Sequence, residues 1–428
     1  FTVDTYDDGT AAIKTFTNTT ETSVQIPSEI EVGGENYTVT KIADGAFRNK
    51  AKLEKVIIPE TVTSIGANAF YGCSKLSSVN LPAELTELGA NAFYNCKLLQ
   101  NITIPDTLTV IKNGTFFGCG FKEITIPKSI RTIEANAFAN CASLVTVNVP
   151  DYTEEGNYIN IDGTAFKNCA NLDFAYFQFD IITENNNASI KGIVGRSTSL
   201  VLPDTIDGYK VVTISKGAFK NNKDLQSVII PEGIRTMGEE VFSGCTALTH
   251  VELPTTLSRI SKNAFANCTA LQVAPFSNEI VAIDEGAFSK CTRLTDVQFP
   301  DSLNIIGKEA FLGCTQLETI NMPNSVTSIG ENSFKDCTNL SSLRLSESIT
   351  TIPKGAFTSC VSLETVVIPR SVTEISDGTD KLGAFQFSGV KDLTLSTNLH
   401  TIGSYAFADC TSLPKVTMAD SVIKLGTG

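Results

Sequence analysis

The residues of this chain that could do chemistry are twelve cysteines and two histidines. The even number of cysteines suits a disulfide framework, but each cysteine follows a recurrent phenylalanine by three residues, which argues against one. Cysteines in one slot of stacked repeats point the same way and do not face each other. We therefore predict a ladder of reduced, buried thiols that act as small apolar side chains, with an occasional pair between neighbours as the alternative. The cysteines are Cys73, Cys96, Cys119, Cys141, Cys169, Cys245, Cys268, Cys291, Cys314, Cys337, Cys360 and Cys410.

The two histidines, His250 and His400, lie about six repeats apart and cannot share one site in a stacked array. The sequence has no nucleophile elbow, phosphate-binding loop, zinc-protease pattern or EF-hand, and no Cys-x-x-Cys pair. The adjacent carboxylates at 154–155 and 239–240 are predicted to be solvated charges. We therefore predict no enzyme activity, no metal site and no cofactor.

A repeat of about 23 residues must position these side chains. Within residues 65–76 the apolar spacing is that of one helix face over two or three turns, which predicts a short helical or 3₁₀ segment. Polar and apolar residues then alternate through 78–81, which predicts a strand with one buried face, ended by proline. Because so short a unit cannot bury its apolar face alone, we predict a solenoid of stacked copies with a parallel sheet. The repeat phenylalanines are Phe47, Phe70, Phe93, Phe116, Phe138, Phe166, Phe219, Phe242, Phe265, Phe288, Phe311, Phe334, Phe357, Phe385 and Phe407.

A glycine often follows the isoleucine of the repeat, as in Gly66 and Gly330. A left-handed backbone would explain it, but Pro353 occupies the same slot and proline cannot adopt positive φ. We therefore predict that this glycine serves close packing or no specific purpose.

Composition excludes several classes of protein. The 428 residues carry a formal net charge of −13, whereas nucleic-acid binders and polybasic membrane anchors need clustered cations. No apolar run approaches the roughly 20 residues of a membrane-spanning helix, so direct membrane insertion is not expected. The length also exceeds that at which a single globular core stops growing, which favours several domains or an elongated array.

The elements L-x-x-V-x-I-P, V-x-x-I-G and A-F-x-x-C resemble the leucine-rich repeats of the BspA type, a 23-residue class of surface proteins of anaerobic bacteria. The resemblance covers nearly the whole chain. It implies an α/β repeat solenoid, curved and right-handed, with a parallel β-sheet on one face and short helical or 3₁₀ turns on the other. It also implies an extracellular or cell-surface location and adhesion to host matrix proteins, other cells or glycans.

The longest interval between repeat phenylalanines is 53 residues and contains a second copy of the N-terminal pattern. Residues 189–219 parallel the stretch 12–42, so we predict two tandem arrays, 1–172 and 173–428, each opening with a degenerate cap-like unit. A hinge near 173–195 would separate them. One continuous solenoid that passes through an irregular repeat is the alternative.

The second array stops at Val422, Leu425 and Gly426, where the next Ala-Phe element is due. An uncovered sheet edge invites pairing, so a longer chain or self-association through this uncapped C-terminal edge is expected.

Extra residues follow the strand in every irregular repeat, which predicts loops on one edge of the solenoid. Three of these insertions carry a tyrosine within three residues of a glycine, as Tyr158 follows Gly156. That spacing suits a small hairpin whose ring folds back on the core. The alternative is that Tyr152 and Tyr158 contact a ligand.

The outward strand positions form the other candidate surface. They carry short polar side chains of mixed charge, without the aromatic and arginine enrichment of a strong protein-binding hot spot. A plain soluble sheet face is therefore an alternative. If the face binds a protein or glycan, we expect it to use His250, Glu252, Asp296, Gln298, Asn321 and Arg344.

These observations favour a non-enzymatic cell-surface or secreted interaction module. A structural spacer with no ligand of its own is the main alternative. A carbohydrate-processing accessory is a third, and it would require a saccharide to bind the array.

Overall fold

The computed structural model describes residues 1–378 and 381–428. It divides into two compact units, each built from stacked coils of parallel β-structure. The first unit comprises Phe1–Phe177, Ile193–Ser197 and Thr205–Tyr209. The second comprises Gln178–Gly192, Thr198–Asp204 and Lys210–Gly428. The parallel solenoid predicted from the repeat is confirmed, whereas its curvature, its hand and the division after residue 172 stay predictions.

Two antiparallel hairpins open the first unit. Thr2–Thr5 pairs with Thr10–Thr15 around a turn in which Gly9 has a φ of 79°. Glu29–Val32 pairs with Glu35–Ile42. Because Thr10–Thr15 also pairs in parallel with Glu35–Ile42, the hairpins cover the end of the stack as a cap must.

Each regular coil contributes short strands to two strips of parallel pairs. In the first unit one strip contains Ser23–Gln25, Lys55–Ile57, Ser78–Val79, Glu123–Thr125 and Thr146–Asn148, and the other contains Ser64–Ile65, Glu87–Leu88, Val110–Ile111, Thr132–Ile133 and Asn160–Ile161. In the second unit the first strip contains Ser199–Val201, Ser227–Ile229, His250–Glu252, Thr319–Asn321, Ser342–Arg344, Thr365–Val367 and Asp392–Thr394. The second strip of that unit contains Thr236–Met237, Arg259–Ile260, Ala282–Ile283, Ile305–Ile306, Ser328–Ile329, Thr351–Ile352, Glu374–Ile375, Thr401–Ile402 and Lys424–Leu425. The remaining strands, Phe174–Ile182, Asn187–Arg196, Thr205–Ile206 and Tyr209–Ile214, lie in the long irregular interval.

The first strip has the alternation that the sequence predicts. In Lys55–Ile57 the central Val56 is buried and its two neighbours are exposed. The strands do not form one continuous sheet, however, because several coils have no strand at this position, as at 101–103 and 415–417.

The prediction of helical turns on the other side of each coil was wrong. Residues 1–378 contain no helix, and hydrogen-bonded turns occupy this part of each coil. The backbone is left-handed two residues before and two residues after the repeat phenylalanine, as at Asn68 (φ 56°) and Gly72 (φ 72°) around Phe70. The N–H groups of these three residues donate to carbonyl groups of the next coil at 2.7–2.9 Å.

This pattern explains why no helix forms. A helix needs each N–H to bond four residues back within one segment, but here every second N–H bonds to the neighbouring coil. Only glycine and, less readily, asparagine adopt a left-handed backbone at low cost, and these two residue types dominate both slots. The recurrent Asn and Gly were therefore a readable signal against a helix.

Stacked phenylalanine rings form the core of each unit. Successive rings lie 4.9–5.7 Å apart from Phe47 to Phe166, and 5.2–5.5 Å apart from Phe219 to Phe407. Because the stack runs from each coil to the next, the core is extended and each coil depends on its neighbours.

The glycine after the isoleucine serves close packing, which confirms one of the two explanations drawn from the sequence. Gly330 lacks positive φ, and a Cβ there would lie 2.3 Å from the backbone nitrogen of Lys308 in the preceding coil. A backbone atom cannot move aside as the end of a flexible side chain can.

We expect Gly330→Ala to lower the free energy of unfolding by about 1–3 kcal/mol, the usual cost of overpacking. Gly163→Ala is the matched control, because Gly163 has neither positive φ nor any atom within 4 Å of a built Cβ. That variant should be neutral or more stable by up to about 1 kcal/mol. Urea unfolding followed by circular dichroism measures both, and equal effects would contradict the packing explanation.

Candidate binding surface

The outward residues of the first strip in the second unit form neighbouring polar pairs. His250 and Glu252 lie on one strand and are both exposed, with Nε2 and Oε1 3.0 Å apart. Asp296 and Gln298 make the same kind of pair further along, where Gln298 Nε2 donates to Asp296 Oδ1 at 2.6 Å. In each case a side chain two positions away fixes its partner on the solvent side of the strand.

Asn321 and Arg344 belong to adjacent coils and the structure brings them together. They are direct partners in the parallel pair of Thr319–Asn321 with Ser342–Arg344, and Arg344 Nη1 donates to Asn321 Oδ1 at 3.2 Å. The row is not wholly polar, because Val273 lies in register with Asp296 and is 54% exposed. Sequence reasoning missed Val273, although its spacing of 23 residues from both His250 and Asp296 identifies it.

Tyr152 and Tyr158 lie elsewhere, in the first unit, and are packed against its core. Both rings contact Tyr176, at centroid distances of 4.9 and 5.4 Å. Tyr176 is fully buried, and its hydroxyl accepts a hydrogen bond from the Ile159 N–H at 2.7 Å. This geometry matches the interpretation in which the rings fold back on the core.

Two of the insertion loops predicted from the sequence, those that contain Tyr152 and Asp207, contact each other within the first unit. The N–H groups of Asp207 and Gly208 donate to the carbonyl groups of Tyr152 and Thr153 at 2.8 and 3.0 Å. The carboxylate of Asp207 accepts a hydrogen bond from the Gly156 N–H at 2.6 Å. These bonds fix the position of the loop that carries both tyrosines.

A family model for the BspA-type leucine-rich repeat region matches residues 40–173, 196–301, 274–379 and 381–428. The chain belongs to the BspA-type leucine-rich repeat family. The family predicted by resemblance is thereby confirmed.

Solved structures of other leucine-rich repeat proteins resemble this BspA-type chain. A leucine-rich repeat protein from Bacteroides ovatus is 30% identical over 86% of this chain and 93% of its own, with a TM-score of 0.60. One from T. pallidum is 28% identical over 56% of this chain and 89% of its own, with a TM-score of 0.35. A leucine-rich cell surface protein from Faecalibacterium prausnitzii is 22% identical over 88% of this chain and 93% of its own, with a TM-score of 0.34. No curated protein sequence matches the chain.

Two features are absent from the described residues of the BspA-type chain. No group of three or more His, Cys, Asp or Glu side chains could hold a metal ion there. Within the same residues, no helix is long and apolar enough to span a membrane.

The carboxylates of Glu239 and Glu240 form ion pairs rather than standing free in solvent. Lys216 Nζ lies 2.6 Å from Glu239, and Lys220 Nζ lies 2.9 Å from Glu240. Glu239 belongs to a slot three residues before the repeat phenylalanine in which the charge alternates from coil to coil. That slot holds Lys216, Glu239, Lys262, Glu285, Lys308, Glu331 and Lys354.

We expect Glu239→Gln to lower the melting temperature at neutral pH, because it leaves Lys216 and Lys262 without the carboxylate between them. The hydrogen bond from Lys216 holds the pKa of Glu239 below its usual value. The carboxylate of Glu239 therefore stabilises the folded chain above the pKa that it has in the unfolded chain. This stabilisation is lost as the pH falls through the pKa that it has in the folded chain. The difference between the melting temperatures of variant and wild type should be largest at pH 7 and should shrink as the pH is lowered towards about 3. A difference that does not shrink in acid would contradict this account.

The twelve thiols of this BspA-type chain are free and buried, as predicted. Each sulfur lies in the core, and Cys73 Sγ donates to the Phe47 carbonyl of the preceding coil at 3.0 Å. Burial raises the pKa of Cys73 to about 12. The thiols are therefore protonated at neutral pH, which removes the nucleophilic form.

We expect iodoacetamide at pH 8 to leave the native thiols almost unmodified, and all twelve to react after unfolding in guanidinium. Cys410 and Cys169 should react first, because they are 8% and 5% exposed and most of the others are fully buried. Intact and peptide mass spectrometry over time measures the order. Rapid modification of a fully buried thiol such as Cys291 in the native chain would contradict the prediction.

Proposed function

We propose that this chain is a non-enzymatic interaction module, displayed at the cell surface or secreted, and that it acts as an adhesin for host matrix proteins, other cells or glycans. The observation that carries the proposal is the row of exposed polar side chains along one side of the second unit, from His250 to Arg344, several of them on paired strands. Side chains held on stacked strands need little ordering on binding, so little conformational entropy is lost. Membership of the BspA-type family supports the same role.

The proposed contact surface consists of His250, Glu252, Asp296, Gln298, Asn321 and Arg344, with Val273 as an exposed apolar contact among them. Tyr152 and Tyr158 are left out of it because both rings pack on the core. Alanine at those two positions would reduce packing as well as any contact, so a loss of binding would be ambiguous.

The test uses the full chain in biolayer interferometry against fibronectin, laminin and collagen, and on a glycan array. The variant carries His250→Ala, Asp296→Ala and Arg344→Ala. The matched control carries His400→Ala, Asp301→Ala and Arg293→Ala, which removes the same side-chain types at exposed positions outside the row. If the row is the contact surface, only the first variant should lose affinity, by at least about tenfold.

A structural spacer remains the alternative function. It is favoured if the well-folded wild-type chain binds nothing in either panel. A row variant that binds as tightly as the wild-type chain would place the contact elsewhere on the chain.

A further inference from the structure

Half-buried aromatic rings form a second stack in the first unit, in the slot directly after the repeat phenylalanine. Tyr71 stacks on Tyr94 with centroids 4.8 Å apart, and Tyr94 stacks on Phe117 at 4.3 Å. The interplanar angles are 8° and 2°. The guanidinium of Arg48 covers the first ring, 5.0 Å from the centroid of Tyr71. A cation thus closes one end of this surface stack.

The other end of the stack is the ring of Phe117. The next coil has Ala139 in the same slot, and a single methyl group is too small to cover a phenyl ring. The face of an aromatic ring carries the negative part of its quadrupole and attracts polarised C–H groups. Ala139 is itself buried, but Phe117 is only half-buried, so part of its ring stays accessible at the end of the stack.

Phe117 lines a cleft of about 430 Å³. The cleft exists because this coil is one residue short: only Gly120 separates Cys119 from Phe121, whereas other coils have two residues between cysteine and leucine. A Cβ at Gly120 would lie 2.4 Å from the carbonyl oxygen of Lys97, so the floor has no room for a side chain. The volume falls within the range of about 300–1,000 Å³ typical of small-molecule sites.

The rest of the cleft is polar and includes one cation. Its lining contains the amides of Asn95 and Asn140, the hydroxyl of Ser143 and the exposed side chain of Lys97. Asn140 Oδ1 accepts a hydrogen bond from Asn168 Nδ2 at 3.0 Å. No carboxylate lines the cleft, and none in the described part of the chain pairs with Lys97.

We propose that this cleft binds an acidic pyranose, such as a uronic or sialic acid residue of a glycan. The C–H face of the sugar ring stacks on Phe117, and its hydroxyl groups bond to Asn95, Asn140 and Ser143. Its carboxylate lies at Lys97, the one cation of the lining. A partly exposed ring, neutral amides and an unpaired cation thus match the apolar face, the hydroxyls and the anion of one ligand. The cleft is separate from the strand row of the second unit, so either proposal can fail without the other.

The experiment is saturation-transfer NMR and titration of the full chain with methyl β-D-glucuronide, the methyl glycoside of N-acetylneuraminic acid, and neutral methyl β-D-glucoside. Ala139→Tyr places a third tyrosine ring against Phe117 at a buried position, in the slot that holds Tyr71 and Tyr94 in earlier coils. Ala266→Tyr is the matched control, because Ala266 is the same slot in the second unit. Lys97→Gln removes the cation at an exposed position.

We expect one of the two acidic sugars to receive saturation on its ring protons. Ala139→Tyr should weaken its binding at least about tenfold, and Ala266→Tyr should leave it unchanged. Lys97→Gln should weaken it by about fivefold and leave any glucoside binding unchanged.

The proposal is overturned if neither acidic sugar binds up to about 10 mM, or if Ala139→Tyr binds as wild type. It is also overturned if the glucoside binds as well as both acids. Should circular dichroism show that Ala139→Tyr does not fold, the loss of acid selectivity in Lys97→Gln decides the question.

Discussion

Replacing Phe288 by alanine is expected to lower the free energy of unfolding by about 3–5 kcal/mol. Phe288 is fully buried between Phe265 and Phe311, with ring centroids 5.3 Å away on both sides. Phe276 adds an edge-on contact at 5.6 Å. Truncation leaves a cavity that rigid neighbours on both sides cannot close, because each of them is held by the next ring of the stack.

Urea unfolding followed by circular dichroism measures the loss, since the chain has no tryptophan to report by fluorescence. Phe387→Ala is the control, because that ring is 50% exposed and its removal should cost less than about 1 kcal/mol. Hydrogen exchange should show that the loss of protection is centred on the coils of Phe265, Phe288 and Phe311. Uniform loss over the whole unit, or equal effects of the two variants, would contradict nearest-neighbour coupling.

Tyr176→Phe should cost about 1–3 kcal/mol, because the buried N–H of Ile159 loses its acceptor. The hydroxyl of Tyr176 ties the insertion loop to the core, and both Tyr152 and Tyr158 pack against its ring. Burial raises the pKa of Tyr176, so the hydroxyl stays neutral over the range in which the protein is handled. The effect should therefore not depend on pH between about 5 and 9.

Limited proteolysis measures the opening of this loop separately from the unfolding of the rest of the unit. Glutamyl endopeptidase should cleave at the exposed Glu154 and Glu155 faster in Tyr176→Phe than in wild type, because the loop opens more often. Tyr6→Phe, at a tyrosine that is 45% exposed, is the control and should change neither stability nor cleavage. Unchanged cleavage in Tyr176→Phe would show that the Asp207 contacts hold the loop by themselves.

The candidate surface was predictable in part. The period-2 alternation identified the outward positions, and His250, Asp296 and Arg344 are exposed on the strand side as expected. The sequence did not reveal which of them pair, because pairs within one strand and between adjacent strands depend on side-chain length and rotamer. The stack that ends at Phe117 was also overlooked, although Tyr71, Tyr94 and Phe117 recur at 23-residue intervals.

The sequence by itself determined the repeat, the buried face of each strand and the environment of the thiols. These features follow from spacing alone, because identical slots of stacked copies must share one environment. The tertiary structure decided what the turns are. Apolar spacing around Phe70 fits a helix, yet backbone bonding to the next coil and left-handed residues on both sides exclude one. Hydrogen bonds between coils exist only once the coils are stacked, so no pattern of hydrophobicity within one repeat could reveal them.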